Sequence, residues 1–247
     1  MERATAGRID RGPALRVRLM SGALSSVDEQ AFLSGTNLAA IGDGTVDNWE
    51  LFQFQQAELV APDTYELTDR LRGQFGSDGV TPDQWPEGST VVFLDGVPDQ
   101  ISLLRNSLRV AQTYRIGPAK RSVADPSYVE RVETFAGNGL RPYAPVHLKS
   151  EITQDGAAEL RWIRRTRIDG DAWDGLDVPL GEETERYLVR VIKDNAVLRE
   201  DTVSEPVWIY PLSAQASDGL SGSYSVDVAQ VSATFGPGPA ARIALEQ

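Results

Sequence analysis

Two prolines within one short stretch, Gly137-Asn-Gly-Leu-Arg-Pro-Tyr-Ala-Pro-Val-His147, constrain this chain more than any other feature. Proline lacks the amide proton that a helix interior or an inner strand needs, and Asn-Gly favours a turn. Residues 139–145 therefore read as a joint, with strand-like segments on both sides. At 247 residues the chain has room for two modest domains, each large enough to bury a core.

Charge and composition exclude several classes. The net charge is −12, and it divides evenly: residues 1–139 carry 13 basic and 19 acidic side chains, residues 140–247 carry 11 and 17. Neither half is basic, so nucleic acid is not an expected partner. The chain has no cysteine, which removes disulfides, thiolate metal sites and cysteine nucleophiles. No apolar run approaches the roughly 20 residues of a membrane span, and Met1–Pro13 is polar. Membrane insertion is not expected.

In the first half, Met1–Gly12 is expected to form a tail or the trimmed end of a longer upstream domain. Leu15, Val17 and Leu19 alternate with Arg16, Arg18 and Met20, the period of a half-buried strand. So near the terminus, this strand is expected to pair with sequence outside the chain. Ser26-Val-Asp-Glu29 has capping-box spacing and predicts a short helix stopped by Gly35. Trp49–Phe54 and Tyr65–Leu71 alternate as strands around a turn at Pro62-Asp63. Val91–Leu94 runs into Asp95-Gly96, which predicts a tight hairpin with a return strand at Gln100–Leu104. Tyr114–Ile116 and Tyr128–Phe135 complete the set. The expected organisation is a tail, strand and helix over 1–36, a β domain over 37–138, the joint, and a second module over 146–247.

The second half offers seven short strands: Val146–Ile152, Ala158–Arg165, Tyr187–Ile192, Val197–Thr202, Val207–Tyr210, Tyr224–Val231 and Ala240–Leu245. Seven such strands in about 100 residues predict an immunoglobulin-like sandwich. Leu160-Arg-Trp162, Tyr187-Leu-Val-Arg-Val191, Tyr224-Ser-Val-Asp-Val228 and the Gly-Pro turn of Phe235-Gly-Pro-Gly-Pro239 make residues 143–247 resemble a fibronectin type III domain. The fold class expected is all-β: a hub-like β domain with one short helix, then a fibronectin type III-like sandwich.

A second resemblance spans both halves. Trp49-Glu-Leu-Phe-Gln-Phe54, Ala57-Glu-Leu-Val-Ala-Pro62, Tyr65-Glu-Leu67, Leu71-Arg-Gly-Gln-Phe-Gly76, Leu140-Arg-Pro-Tyr-Ala-Pro145, Trp162-Ile-Arg-Arg-Thr-Arg167 and Val178-Pro-Leu-Gly-Glu182 occur in this order. Together they resemble the C-terminal part of phage tail-tip or host-specificity proteins, in the version carried by alphaproteobacterial gene transfer agents. The resemblance implies a structural baseplate hub component with no enzymatic role, acting in tail assembly and host-surface attachment. It implies other tail or baseplate proteins as partners, a homotrimer in the full-length assembly, and a host surface glycan or receptor. It further implies synthesis in the bacterial cytoplasm, release by lysis, and residence in the particle tail. Family members are longer, with an upstream glycosidase-like barrel and further hub domains.

No catalytic, cofactor-binding or metal-binding residue is expected. His147, the only histidine, starts a strand. Asp169-Gly-Asp-Ala-Trp-Asp-Gly-Leu-Asp177 has an acidic spacing, but Trp173 and Leu180 stand where an EF-hand needs oxygen ligands. Trp173, Trp208 and Tyr210 are candidate surface contacts. If exposed, they would favour an alternative reading as a carbohydrate-binding module for capsule or cell-wall glycan. A second alternative is an accessory domain of a glycoside hydrolase, which calls for paired carboxylates with one pKa raised.

Overall fold

The computed structural model describes residues 1–96, 101–168, 170 and 178–246. The chain divides into two compact units, Met1–Gly139 and Leu140–Gln247.

The first unit is built on a six-stranded antiparallel sheet. Its strands are β1 (Ile9–Asp10), β2 (Leu15–Arg18), β3 (Leu38–Gly42), β4 (Trp49–Ala61), β5 (Thr64–Gln74) and β6 (Thr90–Phe93). The order is β1-β5-β4-β3-β6, and β2 also pairs with β5. Two expectations are corrected here. The opening strand finds its partner within the chain, with Leu15 opposite Leu67 and Val17 opposite Tyr65. Ile9 and Asp10 of the expected tail pair with Leu71 and Arg70. The eleven-residue β5 is long enough to take both short strands along one edge.

The core of this unit gathers Val17, Ala39, Ile41, Phe52, Phe54, Tyr65, Leu67 and Trp85. Helix α1 (Glu29–Leu33) packs Phe32 inward and is tied to β4 by Gln53, whose amide donates to the carbonyls of Phe32 and Thr36. The helix ends as expected: Thr36 N–H bonds Ala31 O and Gly35 N–H bonds Phe32 O, with Gly35 at φ 102. That is a Schellman motif. It does not begin as expected. Asp28 is the cap, accepting from Ala31 N at 2.8 Å, while the Ser26 hydroxyl accepts from the Ala57 amide at 3.0 Å. The Asp95-Gly96 hairpin is also corrected. β6 pairs with β3, Val91 opposite Ile41, and of the expected return strand Gln100–Leu104, Gln100 lies outside the described residues while Ile101–Leu104 carry no strand. After the sheet, β7 (Gln112–Ile116) and β8 (Val129–Glu133) form a separate antiparallel ladder.

The second unit is a sandwich. Strands β9 (Val146–Ile152), β10 (Ala158–Ile163) and β13 (Val207–Tyr210) form one sheet in the order β13-β10-β9. The other sheet is β12-β11-β14-β15, from β11 (Tyr187–Lys193), β12 (Ala196–Val203), β14 (Tyr224–Ser232) and β15 (Gly236–Leu245). First, second and fifth strands thus face third, fourth, sixth and seventh, the arrangement of a fibronectin type III-like sandwich. Alternate residues point inward: Leu160 and Trp162, then Tyr187, Val189 and Val191, then Tyr224, Val226 and Val228. The expected Gly-Pro turn is part of β15, with Gly236 opposite Ser232 and Pro237 opposite Val231. An edge strand tolerates prolines because the missing donors face outward. Helix α2 (Leu212–Ser217), with Pro211 at its N-cap position and no side-chain cap bond, is not among the expected elements.

Candidate interaction surface

The sandwich strands place two of the three expected contact residues out of reach. Trp208 and Tyr210 lie two apart on β13 and both turn inward, while Ile209 between them turns out. Their rings stack at 5.1 Å. The indole of Trp208 donates to Asp201 at 3.0 Å, and the Tyr210 hydroxyl donates to Asp218 at 2.6 Å. Arg199 clasps the same Asp218 with two bonds of 2.7 and 3.0 Å. Bonding from Arg199 holds the Asp218 carboxyl below its ordinary range, against burial and with help from Tyr210. Burial, and then the neighbouring Asp218, push the Tyr210 hydroxyl up. With polar tips spent internally and faces covered, neither ring can serve as a stacking platform for sugar. Trp173 and the acidic stretch Asp169–Asp177, apart from Gly170, lie outside the described residues.

His147 is exposed and holds φ 53 where β9 slips its register against β10. A left-handed residue at such a slip is the mark of a β-bulge.

The charged residues of the first unit reveal what sequence reasoning missed. Glu50 shares the buried face of β4 with Phe52 and Phe54 and is fully enclosed. Asp69 takes φ 50, and past it Arg70 and Arg72 turn inward in place of Tyr65 and Leu67. Arg72 grips Glu50 through bonds of 2.6 and 2.8 Å. Trp85 Nε1 and the Gly73 amide donate to the same carboxylate at 2.6 and 3.1 Å. Gly73 sits at φ 59 with Asp78 so close that a Cβ would meet it at 2.6 Å. Asp10 accepts from Arg70 at 3.0 Å and from Arg72 at 3.2 Å. Burial raises the Asp10 pKa, but the Gly12 amide and the two arginines outweigh it and leave the carboxyl low. Because every arm of this network has a partner, it reads as a lock on strand register.

Among the described residues, none of the displaced carboxyls is a raised acid. Asp10, Asp43, Asp125, Asp155, Glu183 and Asp218 are all shifted downward. Each stays ionised at neutral pH and holds no proton to donate, whereas glycoside hydrolysis needs a raised acid. Among the described residues no cluster of three or more potential metal ligands occurs, and no helix is long and apolar enough to cross a membrane.

What the first unit does present is uncovered strand and apolar surface. No strand among the described residues pairs with the outer side of β6. Leu59 and Val60 are exposed near the β4–β5 turn. The β7–β8 ladder exposes Ile116, Val129 and Val132, with Ile116 directly opposite Val129. Open edges and uncovered aliphatic side chains are features of surfaces that other chains complete.

These features define an all-β protein that couples an antiparallel sheet domain to a fibronectin type III-like sandwich. Residues 1–92 match the family model described as "Rcc01698-like, C-terminal", less than half of the chain. No curated protein matches. Among solved structures, the chain is similar to domains d3-d4 of the rat CD45 extracellular region. The identity is 14%, over 68% of this chain and 77% of that one, with a TM-score of 0.34. It is also similar to the FN1-FN3 domains of chicken CNTN1, at 13% identity over 100% of this chain and 66% of that one, with a TM-score of 0.30. Both superpositions are loose, and the sandwich is identified by its strand order.

Proposed function

We propose that this chain is a structural component of a phage-like tail tip or baseplate of the gene transfer agent type, acting in tail assembly and host-surface attachment. The observation that carries the reading is the combination, in the first unit, of open strand edges with uncovered aliphatic side chains on the β7–β8 ladder. Covering one such Ile or Val contributes about 1–2 kcal/mol, so a few of them together supply a useful contact. The family model matching residues 1–92, which takes its name from a gene transfer agent-related gene, supports the same reading. The partners are other tail or baseplate proteins, further copies of the chain in a homotrimer, and a host glycan or receptor. The particle tail is its location, reached after synthesis in the bacterial cytoplasm, with release by lysis. Its work is binding, with no bond-making step. With Trp208 and Tyr210 buried, the carbohydrate-binding alternative loses two of its three platforms.

Immunogold labelling of purified particles with antibody to this chain tests the reading. Label at the distal tail end, and particles that fail to adsorb when the gene is deleted, are expected. Particles that lack the chain, or that adsorb normally without it, would refute the proposal.

A further inference from the structure

The segment from Ile101 to Phe135 differs from the rest of the chain in charge and in packing. It holds six basic and three acidic residues, net +3, which leaves −15 for the remainder. Ile101, Leu104, Ile116, Val123, Val129 and Val132 are each between 53% and 71% exposed. The segment is nonetheless built. The Tyr128 ring lies over Gly117, where a Cβ would meet it at 2.5 Å, and its hydroxyl donates to Pro118 O at 3.1 Å. Tyr114 meets Phe135 edge to face at 6.2 Å. Yet β7 and β8 pair only with each other among the described residues, and a two-stranded ladder in water is marginally stable at best. An ordered arm with its aliphatic side chains outward calls for a cover.

The cover has to be polypeptide. Lipid interiors do not accept open sheet edges, and this ladder has two. Nucleic acid would answer the charge but leave the aliphatic groups in water. Ile116 and Val129 share one face of the ladder and Val132 lies on the other, so the occupant must reach both. Charge complementarity then selects an acidic surface.

We propose that the arm docks onto the acidic surface of a second copy of this chain, a net +3 element against a remainder of −15. An arm-to-body contact is heterologous and closes rings when the rotation allows. The inference rests on the assembly reading for its biological sense and supplies that reading with a contact.

Sedimentation velocity on the full chain tests it. Self-association is expected, weakening about tenfold or more as salt rises from about 0.05 M to about 0.5 M. Ile116→Asp/Val129→Asp should weaken it about tenfold or more. Lys120→Glu, a change of charge on an exposed turn, should weaken it about threefold with the circular dichroism spectrum unchanged. A wild-type chain that stays monomeric up to about 100 μM overturns the inference, as does association that neither variant alters. So does a monomer that instead co-sediments with phosphatidylglycerol vesicles or binds duplex DNA. A monomeric chain that is nevertheless found in particles sinks this contact alone. A chain absent from particles but associating through the arm sinks the assembly reading alone.

Discussion

Replacing Glu50 by Gln tests whether the buried charge network holds the first unit together. The carboxylate receives four bonds, from Arg72 Nε and Nη2, Trp85 Nε1 and the Gly73 amide, at 2.6, 2.8, 2.6 and 3.1 Å. A glutamine keeps the volume and one acceptor, but turns its NH2 against two donors and removes the charge facing Arg72. Breaking one side of a buried pair costs about 3–5 kcal/mol, because the other charge is left uncompensated. Arg72 retains Asp10 at 3.2 Å and the Glu2 carbonyl at 2.8 Å, so the lower end, about 3 kcal/mol, applies. For a unit of this size that is roughly a 10 °C fall in Tm. Because each unit has its own core, urea titration read by hydrogen exchange separates them. Protection in β4 and β5 should fall, and that in β11 and β14 should stay. A Glu50→Leu/Arg72→Met double variant should cost less than the two single changes together, by about 2 kcal/mol. A loss below about 1 kcal/mol in Glu50→Gln, or an equal loss in both units, would refute the argument.

Further outcomes follow from other sites. Trp208→Ala should lower sandwich stability by about 3–5 kcal/mol and Tyr210→Phe by about 1–2 kcal/mol, as judged by urea midpoints. If both are near neutral, the residues are not the core elements described. At His147, with φ 53, Gly should be neutral or stabilising by up to about 1 kcal/mol, whereas Val should cost about 1–2 kcal/mol. Equal stability of the two variants in thermal melts would contradict a left-handed backbone there. Bonding from the Thr234 hydroxyl holds Glu183 down to about 2, and bonding from Arg199 lowers Asp218. A depressed folded pKa gives stability that is complete above the ordinary carboxylate value near ~4 and is lost as pH falls through the folded value. Sandwich stability should therefore hold from neutral pH to about 5 and decline toward pH 2, less steeply in Thr234→Ala. A midpoint unchanged down to pH 2 would contradict this.

The sandwich was largely legible because its strands alternate cleanly. Tyr187, Val189 and Val191 are separated by residues that tolerate water, as are Tyr224, Val226 and Val228. The period alone aims them inward. Val207-Trp-Ile-Tyr210 is apolar throughout and carries no period, which is why Trp208 and Tyr210 read as surface contacts and proved to be core. Prolines at 237 and 239 read as a turn because edge position, which excuses them, depends on strand order. In the first unit, the pattern already set Glu50 on one face with Phe52 and Phe54. It could not show that this face is buried, since the compensating Arg72 turns inward only past Asp69 and lies 22 residues away. The arm shows the same limit. Ile116, Val129 and Val132 look like ordinary strand residues, and only their exposure separates them from a core.

The placement of arginines links the lock in the first unit to the surface it leaves. Of the 13 basic residues in 1–139, six belong to the arm. Arg70 and Arg72 are buried against Asp10 and Glu50. Arg3, Arg11 and Arg16 lie within ion-pair distance of Asp83, Asp69 and Glu66. Outside the arm, seven basic residues thus stand against 16 acidic ones, and five of the seven already face carboxylates. The body of the unit is left with a surplus of exposed negative charge that its own cations cannot balance, while the arm carries the opposite sign. Repulsion among the body's acids favours a contact that brings in positive charge, and the arm's aliphatic side chains gain by being covered in the same step. A single arm-to-body contact relieves both, so weakening either its charge or its apolar surface should loosen the same association.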